Sequence, residues 1–266
     1  MSEHVEARRE GAALCLILAR PEKKNALSGA MYDALTDALN AANKDDTIGA
    51  VLIGGKGGVF CAGNDIGDFL KARPGESSSP GWRFIQTLPL LEKPLVAAVE
   101  GPAIGVGTTL CFHCDLVYAA PSARFQMPFV DLALVPEAAS SLLVPQRFGM
   151  AKASEALLLA EPLDAAEAHR LGLVNQVVAA EALFDHALAR AQALAAKPRA
   201  AMLATRKLLR GDAAAVQARM REELSAFGEA VRSPEARAIF EAFLRKSLAP
   251  RSGERVAAKP PGEGRR

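Results

Sequence analysis

The chain has 266 residues, half of them hydrophobic, so it is long enough to bury the core of one large domain, alone or with an appendage. Its formal net charge is +2, and Lys and Arg are spread along the chain without forming the basic stripe that nucleic-acid binding usually needs. Aromatic residues make up 5%, which argues against a stacking platform for single strands. We therefore expect no nucleic-acid partner.

The N-terminal segment predicts neither a membrane span nor a signal peptide. Its apolar run covers residues 12–19, which is shorter than a bilayer-crossing helix, and the charged residues before it do not make a signal. The last residues, Gly264, Arg265 and Arg266, are not a peroxisomal address. We expect a cytoplasmic protein that does not insert into membranes.

The four cysteines lie in apolar surroundings and form no disulfide framework. Cys111 and Cys114 match the spacing C-x-x-C, which also occurs in zinc and redox sites. Because no second pair accompanies them, we favour buried thiols on a helix, and we expect no metal site.

Strand and helix patterns alternate at the start of the chain. Residues 5–9 and 12–18 predict a hairpin, residues 27–42 an amphipathic helix with Ser28 as N-cap, and residues 50–53 a buried strand. The order of strand, helix and strand indicates a parallel unit of an α/β fold.

A glycine-containing loop follows this unit. Gly63 permits backbone geometry that other residues resist, so amides near Asn64 are expected to lack partners, and Asp65 is a candidate cap for a helix over residues 66–72. Residues 73–80 are rich in Pro, Gly and Ser, and they predict either a lid or a plain surface loop.

A second glycine pair stands at the start of an apolar helix, after a buried strand at residues 95–99. Gly105 and Gly107 allow backbone N–H groups to approach a ligand closely. The segment is neither a Walker loop nor a dinucleotide fingerprint, because Leu110 stands where a third glycine should be.

The second half of the chain is mainly helical. Asp164 and Glu167 have the spacing of a capping box. Strands are predicted at residues 116–119, 123–127 and 174–178, and helices at residues 150–160, 164–171, 181–195, 198–209, 214–231 and from 233 onward. The polar tail at residues 249–266 is expected to be weakly ordered or tied down by a neighbour.

Glu137 is an ionisable group in an apolar and small-residue setting, between Pro136 and Ala138. Burial there would raise its pKa toward the range in which a carboxyl exchanges protons near neutral pH. The alternative is that Pro136 and Glu137 open a helix, where an acid is favoured by the helix dipole. These residues alone leave both interpretations open.

Four segments together resemble the crotonase superfamily, whose members process acyl-CoA thioesters: RPEKKNALS, VFCAGNDIGDF, VEGPAIGVGTTLCFHCDLVYA and RFQMPF with VPEAASS. The resemblance implies an α/β crotonase (ClpP-like) spiral of ββα units with a C-terminal α-helical trimerisation region. It divides the chain into a core at residues 1–195, a helical region at 196–248 and a polar tail at 249–266. It also implies a homotrimer or a dimer of trimers.

The same resemblance implies an oxyanion hole made by the backbone N–H groups of Asn64 and Val106. Coenzyme A would enter as part of the substrate, with its phosphates near Lys23 or Lys24, and no further cofactor is expected. The residues implied in binding the substrate are Lys24, Ala26, Ala62, Gly63, Asn64, Asp65, Ile66 and Val106.

Acidic residues distinguish the branches of the superfamily. Hydratases use two glutamates, and Thr109 and Phe129 occupy those positions here. The P-E-x-x-S-S context of Glu137 and the A-G-N-D segment resemble Δ3,Δ2-enoyl-CoA isomerases of the peroxisomal type, which implies Glu137 as the single catalytic base. The alternatives are a hydratase or other crotonase reaction, and a non-catalytic acyl-CoA-binding scaffold.

Other polar residues receive structural interpretations. We favour a loop-fixing role for Asp65. Asp131 is either a solvated surface residue, which we favour, or a second polar contact near the site. His113, His169 and His186 lie in helical patterns, and nothing in the sequence connects them to the site.

Overall fold

The computed structural model describes residues 2–69 and 79–248 of the chain. Its strands form a six-stranded and a three-stranded sheet. In chain order they are β1 (Val5–Glu10), β2 (Ala13–Leu18), β3 (Ala50–Gly55), β4 (Leu95–Val99), β5 (Pro102–Ile104), β6 (Leu116–Ala119), β7 (Arg124–Gln126), β8 (Leu163–Asp164) and β9 (Gln176–Val177). The predicted hairpin is the antiparallel pair β1–β2, and β3 pairs parallel to β2, which confirms the parallel unit.

Helices connect and cover these strands. They are α1 (Gly29–Lys44), α2 (Ile66–Phe69), α3 (Pro80–Thr87), α4 (Val106–Phe112), α5 (Ser140–Phe148), α6 (Met150–Leu158), α7 (Ala165–Arg170), α8 (Ala180–Ala195), α9 (Arg199–Arg210), α10 (Ala213–Ala230) and α11 (Pro234–Leu248). The side chains of Ser28 and Asp164 accept backbone hydrogen bonds at the starts of α1 and α7, so both predicted N-caps are confirmed.

The large sheet has the order β1-β2-β3-β4-β6-β9, and every pair after β1–β2 is parallel. Parallel sheets are buried on both faces, and here α8 covers one face while the main core fills the other. The loop after β3 meets the small sheet β5-β7-β8 through a bridge between Cys61 and Ala103. Segments leaving the carboxyl ends of two adjacent strands, β3 and β4, are thus brought together.

The C-terminal helices pack against this core, and they differ in how many of their side chains are buried. Met220 and Glu223 of α10 and Phe240 of α11 are buried, whereas α9 has no buried residue. The predicted division at residues 195 and 196 stays a prediction, and the tail at residues 249–266 lies outside the described residues. Within residues 2–69 and 79–248, no helix combines the length and apolar character needed to cross a bilayer.

Several elements have no counterpart in the predictions. Helix α3 was not predicted, although Ser79 caps it and Pro80 is its first residue. Strands β5 and β8 were not predicted either, because they are too short to produce a recognisable alternation. The predicted helix over residues 66–72 does begin at Ile66, but residues 70–72 lie outside the described part of the chain, as do residues 73–78 of the lid candidate.

Candidate active site

The loop after β3 and the start of α4 touch along their backbones. The Cys61 amide donates to Pro102 O at 3.0 Å, and the Ile104 amide donates to Cys61 O at 2.8 Å. A Cβ atom added to Gly107 would lie 2.7 Å from Cys61 O, and one added to Gly63, whose φ is +91°, would lie 3.1 Å from the Ile104 carbonyl oxygen. Both contacts require glycine, because any larger residue would separate the two segments.

Two backbone amides at this contact have no partner among the described residues. The neighbours of Asn64 bond to Leu27, through Gly63 O at 2.8 Å and the Asp65 amide at 3.0 Å, so the Asn64 N–H points the other way. Val106 is the first residue of α4, and its N–H is an unpaired donor of that helix end. These are the two amides that the resemblance assigns to the oxyanion hole.

Side chains hold the Asn64 loop in place. The buried Tyr32 hydroxyl donates to the Asn64 side-chain oxygen at 2.5 Å. The Asp65 carboxylate accepts from Arg20 at 2.8 Å and from the Gly67 amide at 3.1 Å. Burial acts to raise the pKa of Asp65, but these hydrogen bonds leave it below its ordinary value. The contacts support the loop-fixing role of Asp65.

The predicted coenzyme A residues form one edge of this loop. The Ala62 amide donates to Lys24 O at 3.0 Å, and the Leu27 amide donates to Gly63 O at 2.8 Å, so the two loops run side by side. Lys23 and Lys24 have exposed side chains, and Ile66 begins α2. The fold therefore places Lys24 and Ala26 next to the segment from Ala62 to Ile66.

Glu137 lies beside the same helix, with 5% of its surface exposed. Its Oε1 accepts the hydroxyl of Thr109 at 2.6 Å, and its Oε2 is buried with no hydrogen-bond partner in the described structure. Thr109 follows Val106 by one helical turn, about 4.5 Å along the axis. The hydrogen bond to Thr109 thus holds Glu137 about one helical turn from the start of α4.

Burial dominates the acidity of Glu137. Desolvation, opposed by the Thr109 hydrogen bond and reinforced by the charge of Glu223, raises the pKa of Glu137 to about 8. Burial also raises the pKa of Cys61 to about 12 and lifts the pKa of Tyr32 well above its ordinary value, and in both groups proximity to Glu137 adds to the increase. Of these three groups, Glu137 is the one that titrates near neutral pH.

The structure corrects the interpretation of Glu137 as a helix-opening residue. Helix α5 begins at Ser140, and Glu137 precedes it in a turn in which Ala138 and Ala139 have φ of +58° and +56°. The acid at the start of α5 is Glu223 of α10, whose carboxylate accepts the amides of Ala139 and Ser141. Sequence reasoning missed Glu223, because it lies 84 residues from Ala139 and has no local signal.

The structure also corrects the statement that no histidine is connected to the site. The buried ring of His113 contacts Ala138 O through Nε2 at 2.8 Å, next to Glu137. Burial lowers the pKa of His113 to about 4, so the ring is neutral and Nε2 carries the proton that it donates to the carbonyl. No pattern around His113 in the sequence indicates this contact.

The other candidate residues take structural positions. Phe129 is buried and Asp131 is exposed, in agreement with the solvated interpretation of Asp131. Cys111 and Cys114 are buried free thiols whose sulfurs donate to carbonyls one turn earlier, at Gly107 and Leu110. Among the residues that the structure describes, no cluster of three or more His, Cys, Asp or Glu could hold a metal ion.

Comparison with known proteins finds a protein family that this chain matches. Residues 9–249 match the model of the enoyl-CoA hydratase/isomerase family. The chain is 37% identical to the 1,2-epoxyphenylacetyl-CoA isomerase of Escherichia coli over 74% of this chain and 78% of that protein. It is 37% identical to enoyl-CoA delta isomerase 2 of Rattus norvegicus over 76% of this chain and 53% of that protein.

Hydratase-named proteins match as well. A probable enoyl-CoA hydratase of Rhodobacter capsulatus is 36% identical over 89% of this chain and 93% of its own length. The solved structure of an enoyl-CoA hydratase/isomerase from Pseudoalteromonas atlantica superposes with a TM-score of 0.87 at 40% identity, covering 92% of this chain and 98% of that one.

Proposed function

Because this chain belongs to the enoyl-CoA hydratase/isomerase family, we propose that it is a Δ3,Δ2-enoyl-CoA isomerase. Membership confirms the crotonase resemblance, the α/β crotonase fold with C-terminal helices, and a place among enzymes that act on acyl-CoA thioesters. Relatives named isomerase and relatives named hydratase match about equally well. We therefore infer the reaction from the acids of the site.

The proposal rests on the burial and the hydrogen bonding of the Glu137 carboxyl group. This is a buried carboxyl group with one oxygen held by Thr109 and the other free. Placing a water with two glutamates would need a second carboxyl group, and Thr109 and Phe129 stand at those positions. Moving a double bond needs one group that takes a proton from one carbon and returns it to another.

In the proposed reaction, the thioester oxygen of a 3-enoyl-CoA accepts hydrogen bonds from the amides of Asn64 and Val106. Glu137 Oε2 removes a proton from C2, and the electron pair of that C–H bond is delocalised through C1 onto the thioester oxygen. The protonated Glu137 then returns the proton to C4, leaving the double bond between C2 and C3. Each preorganised donor to the enolate oxygen contributes about 3 kcal/mol to lowering the barrier.

The acidity of Glu137 suits both halves of this transfer. A pKa of about 8 makes the carboxylate a stronger base than an exposed glutamate, and it leaves the carboxylic acid able to give the proton back. Because the base must be ionised, kcat/KM is expected to rise with pH through a midpoint near 8.

The binding mode and assembly are also proposals. Coenzyme A, carried by the substrate, would lie along Lys24, Ala26 and the segment from Ala62 to Ile66, where Lys23 and Lys24 can meet its phosphates. A homotrimer or dimer of trimers would be built on the C-terminal helices, and no additional cofactor is needed for the proton transfer.

The test compares wild type with Glu137→Gln on 3-hexenoyl-CoA, followed by the absorbance of the conjugated thioester. Gln keeps the shape but cannot accept a proton, so we expect kcat to fall by about 10² to 10⁴-fold. Glu181→Gln, an exposed acid in the first turn of α8, is the matched control and should keep its activity.

A parallel assay with 2-hexenoyl-CoA measures hydration as loss of the conjugated absorbance. Efficient hydration by the wild type, or an unchanged isomerisation rate in the Gln variant, would contradict the proposal. Binding of both esters without turnover would instead favour a non-catalytic acyl-CoA-binding scaffold.

A further inference from the structure

The turn that carries Glu137 has an unfavourable backbone. Ala138 and Ala139 both have positive φ, at +58° and +56°. For a residue with a Cβ atom this conformation costs about 1–2 kcal/mol, and neither alanine has a side chain that could stabilise it locally. Contacts from elsewhere in the fold must therefore impose this turn.

One set of contacts comes from α10. Glu223 is 6% exposed, and its Oε2 accepts the Ala139 amide at 2.6 Å. Its Oε1 accepts the Ser141 amide at 2.9 Å and the Ser141 hydroxyl at 2.5 Å. Three donors converging on one carboxyl group favour its ionised form, and hydrogen bonds to a charged acceptor are the strong ones.

The opposite side of the turn is held by α4. His113, the C-cap of that helix, donates through Nε2 to Ala138 O at 2.8 Å, while both the amide and the hydroxyl of Ser140 donate to Glu137 O. The helix that begins at Val106 therefore also fixes the turn of the base. Glu223 and His113, from two different helices, bind opposite ends of the same peptide unit, the one between Ala138 and Ala139.

We propose that Glu223 and His113 are positioning residues for Glu137: together they impose the Ala138–Ala139 turn and so aim the free oxygen Oε2 toward the reacting carbon. The inference rests on the proposed role of Glu137 as the base. It makes the C-terminal helix α10 part of the machinery that aligns the reaction, through the hydrogen bonds of Glu223.

The pH midpoint of kcat/KM responds to the charges around Glu137. A residue with a merely structural role would leave that midpoint unchanged. The groups facing Glu137 are Thr109 of α4, Tyr32 of α1, Cys61 of the loop and Glu223 of α10. Tyr32 and Cys61 stay neutral near pH 8. Burial raises the pKa of Glu223, opposed by the hydrogen bonds from Ser141 and Ala139 and by the charge of Arg219, and the Glu223 charge in turn raises the pKa of Glu137. Removing the Glu223 charge should therefore lower the pH midpoint of the reaction.

The experiment replaces Glu223 with Gln in the full chain. Gln has one acceptor oxygen and one NH₂ group, which is a donor. One of the two backbone amides, that of Ala139 or that of Ser141, therefore loses its acceptor. We expect kcat for 3-hexenoyl-CoA to fall at least about tenfold with the Kd for the ester changed less than about threefold, and a lower pH midpoint of kcat/KM. Glu229→Gln, an exposed acid on the same helix, is the matched control.

His113→Phe tests the other side of the turn independently, because it keeps the ring but removes the donor. It should also lower kcat with little change in Kd, and it serves as the test if the Glu223 variant does not fold. Crystal structures of both variants should show altered φ at Ala138 and Ala139. Folded variants with wild-type kcat and an unchanged turn would overturn the inference.

These outcomes are separable from a failure of the proposed function. If the wild type does not isomerise 3-hexenoyl-CoA, the proposed function is wrong whatever the variants do. The geometry of the turn in the Glu223→Gln crystal structure then still decides whether Glu223 positions Glu137.

Discussion

At the scale of single residues, the acidity of Glu137 is a balance between burial and one hydroxyl group. Burial raises its pKa to about 8, and the hydrogen bond from Thr109 keeps the pKa from rising further. That hydrogen bond also decides which oxygen is left free. Thr109 therefore tunes the acidity of Glu137 without being an acid or a base itself.

Replacing Thr109 with Val removes this donor while keeping the shape of the side chain. The pH midpoint of kcat/KM should move above 8, and activity at pH 7 should fall by about tenfold for each unit that the pKa of Glu137 rises. Thr109→Ser retains the hydroxyl and should keep the wild-type midpoint. A midpoint that stays in place or moves down in the Val variant would contradict this account of the pKa.

At the scale of elements, the site depends on how closely α4 approaches the loop after β3. Gly107 is the contact point, since a Cβ there would lie 2.7 Å from Cys61 O and 2.9 Å from Cys61 Cβ. The backbone of Cys61 cannot move aside as a flexible side chain can. A methyl group added at Gly107 would therefore displace the start of α4. The Val106 amide would move with it.

Gly107→Ala should accordingly lower both stability and turnover. We expect a loss of about 1–3 kcal/mol in the free energy of unfolding, measured by urea denaturation, and a drop in kcat that exceeds any change in Kd. Gly228→Ala in α10 is the control: its Cβ would meet only the Arg232 side chain, at 3.5 Å, and alanine favours a helix. Wild-type kcat in a stable Gly107→Ala variant would disprove the role of this contact.

At the scale of the whole molecule, α9 presents apolar side chains that are exposed in the described part of the chain. Leu208 and Leu209 are 84% and 83% exposed, and the helix is held to the core by Arg206 and Arg210, whose side chains pair with Asp115. Side chains of this size are usually covered by a partner when they cluster. This surface supports the proposed assembly through the C-terminal helices.

Sedimentation equilibrium should therefore give three times the chain mass of 28.0 kDa for a trimer, or six times the chain mass for a dimer of trimers. Leu209→Glu should lower the measured mass, because a charge buried without a partner is costly. A monomer in the wild type, or an unchanged mass in the variant, would refute the assembly through α9.

Local patterns in the sequence were sufficient for much of the fold. The four-residue spacing that predicts α1, the apolar runs of β3 and β4, and the caps at Ser28 and Asp164 all depend on neighbours within one or two turns. The loops with the unpaired amides were also found, because glycine at positions 63 and 107 is a local signal of unusual backbone or close approach.

Only the tertiary structure reveals the backbone turn that carries Glu137 and the residues that contact it. The start of α5 was wrongly placed at Pro136, because the sequence around it contains no sign that Ala138 and Ala139 would be left-handed. The turn forms hydrogen bonds with His113 and with Glu223, which is 84 residues from Ala139. The sequence alone was enough to name Glu137 as the candidate base, whereas the hydrogen bonds around its turn and the burial that raises its pKa come from residues distant in the chain, which only the tertiary structure brings together.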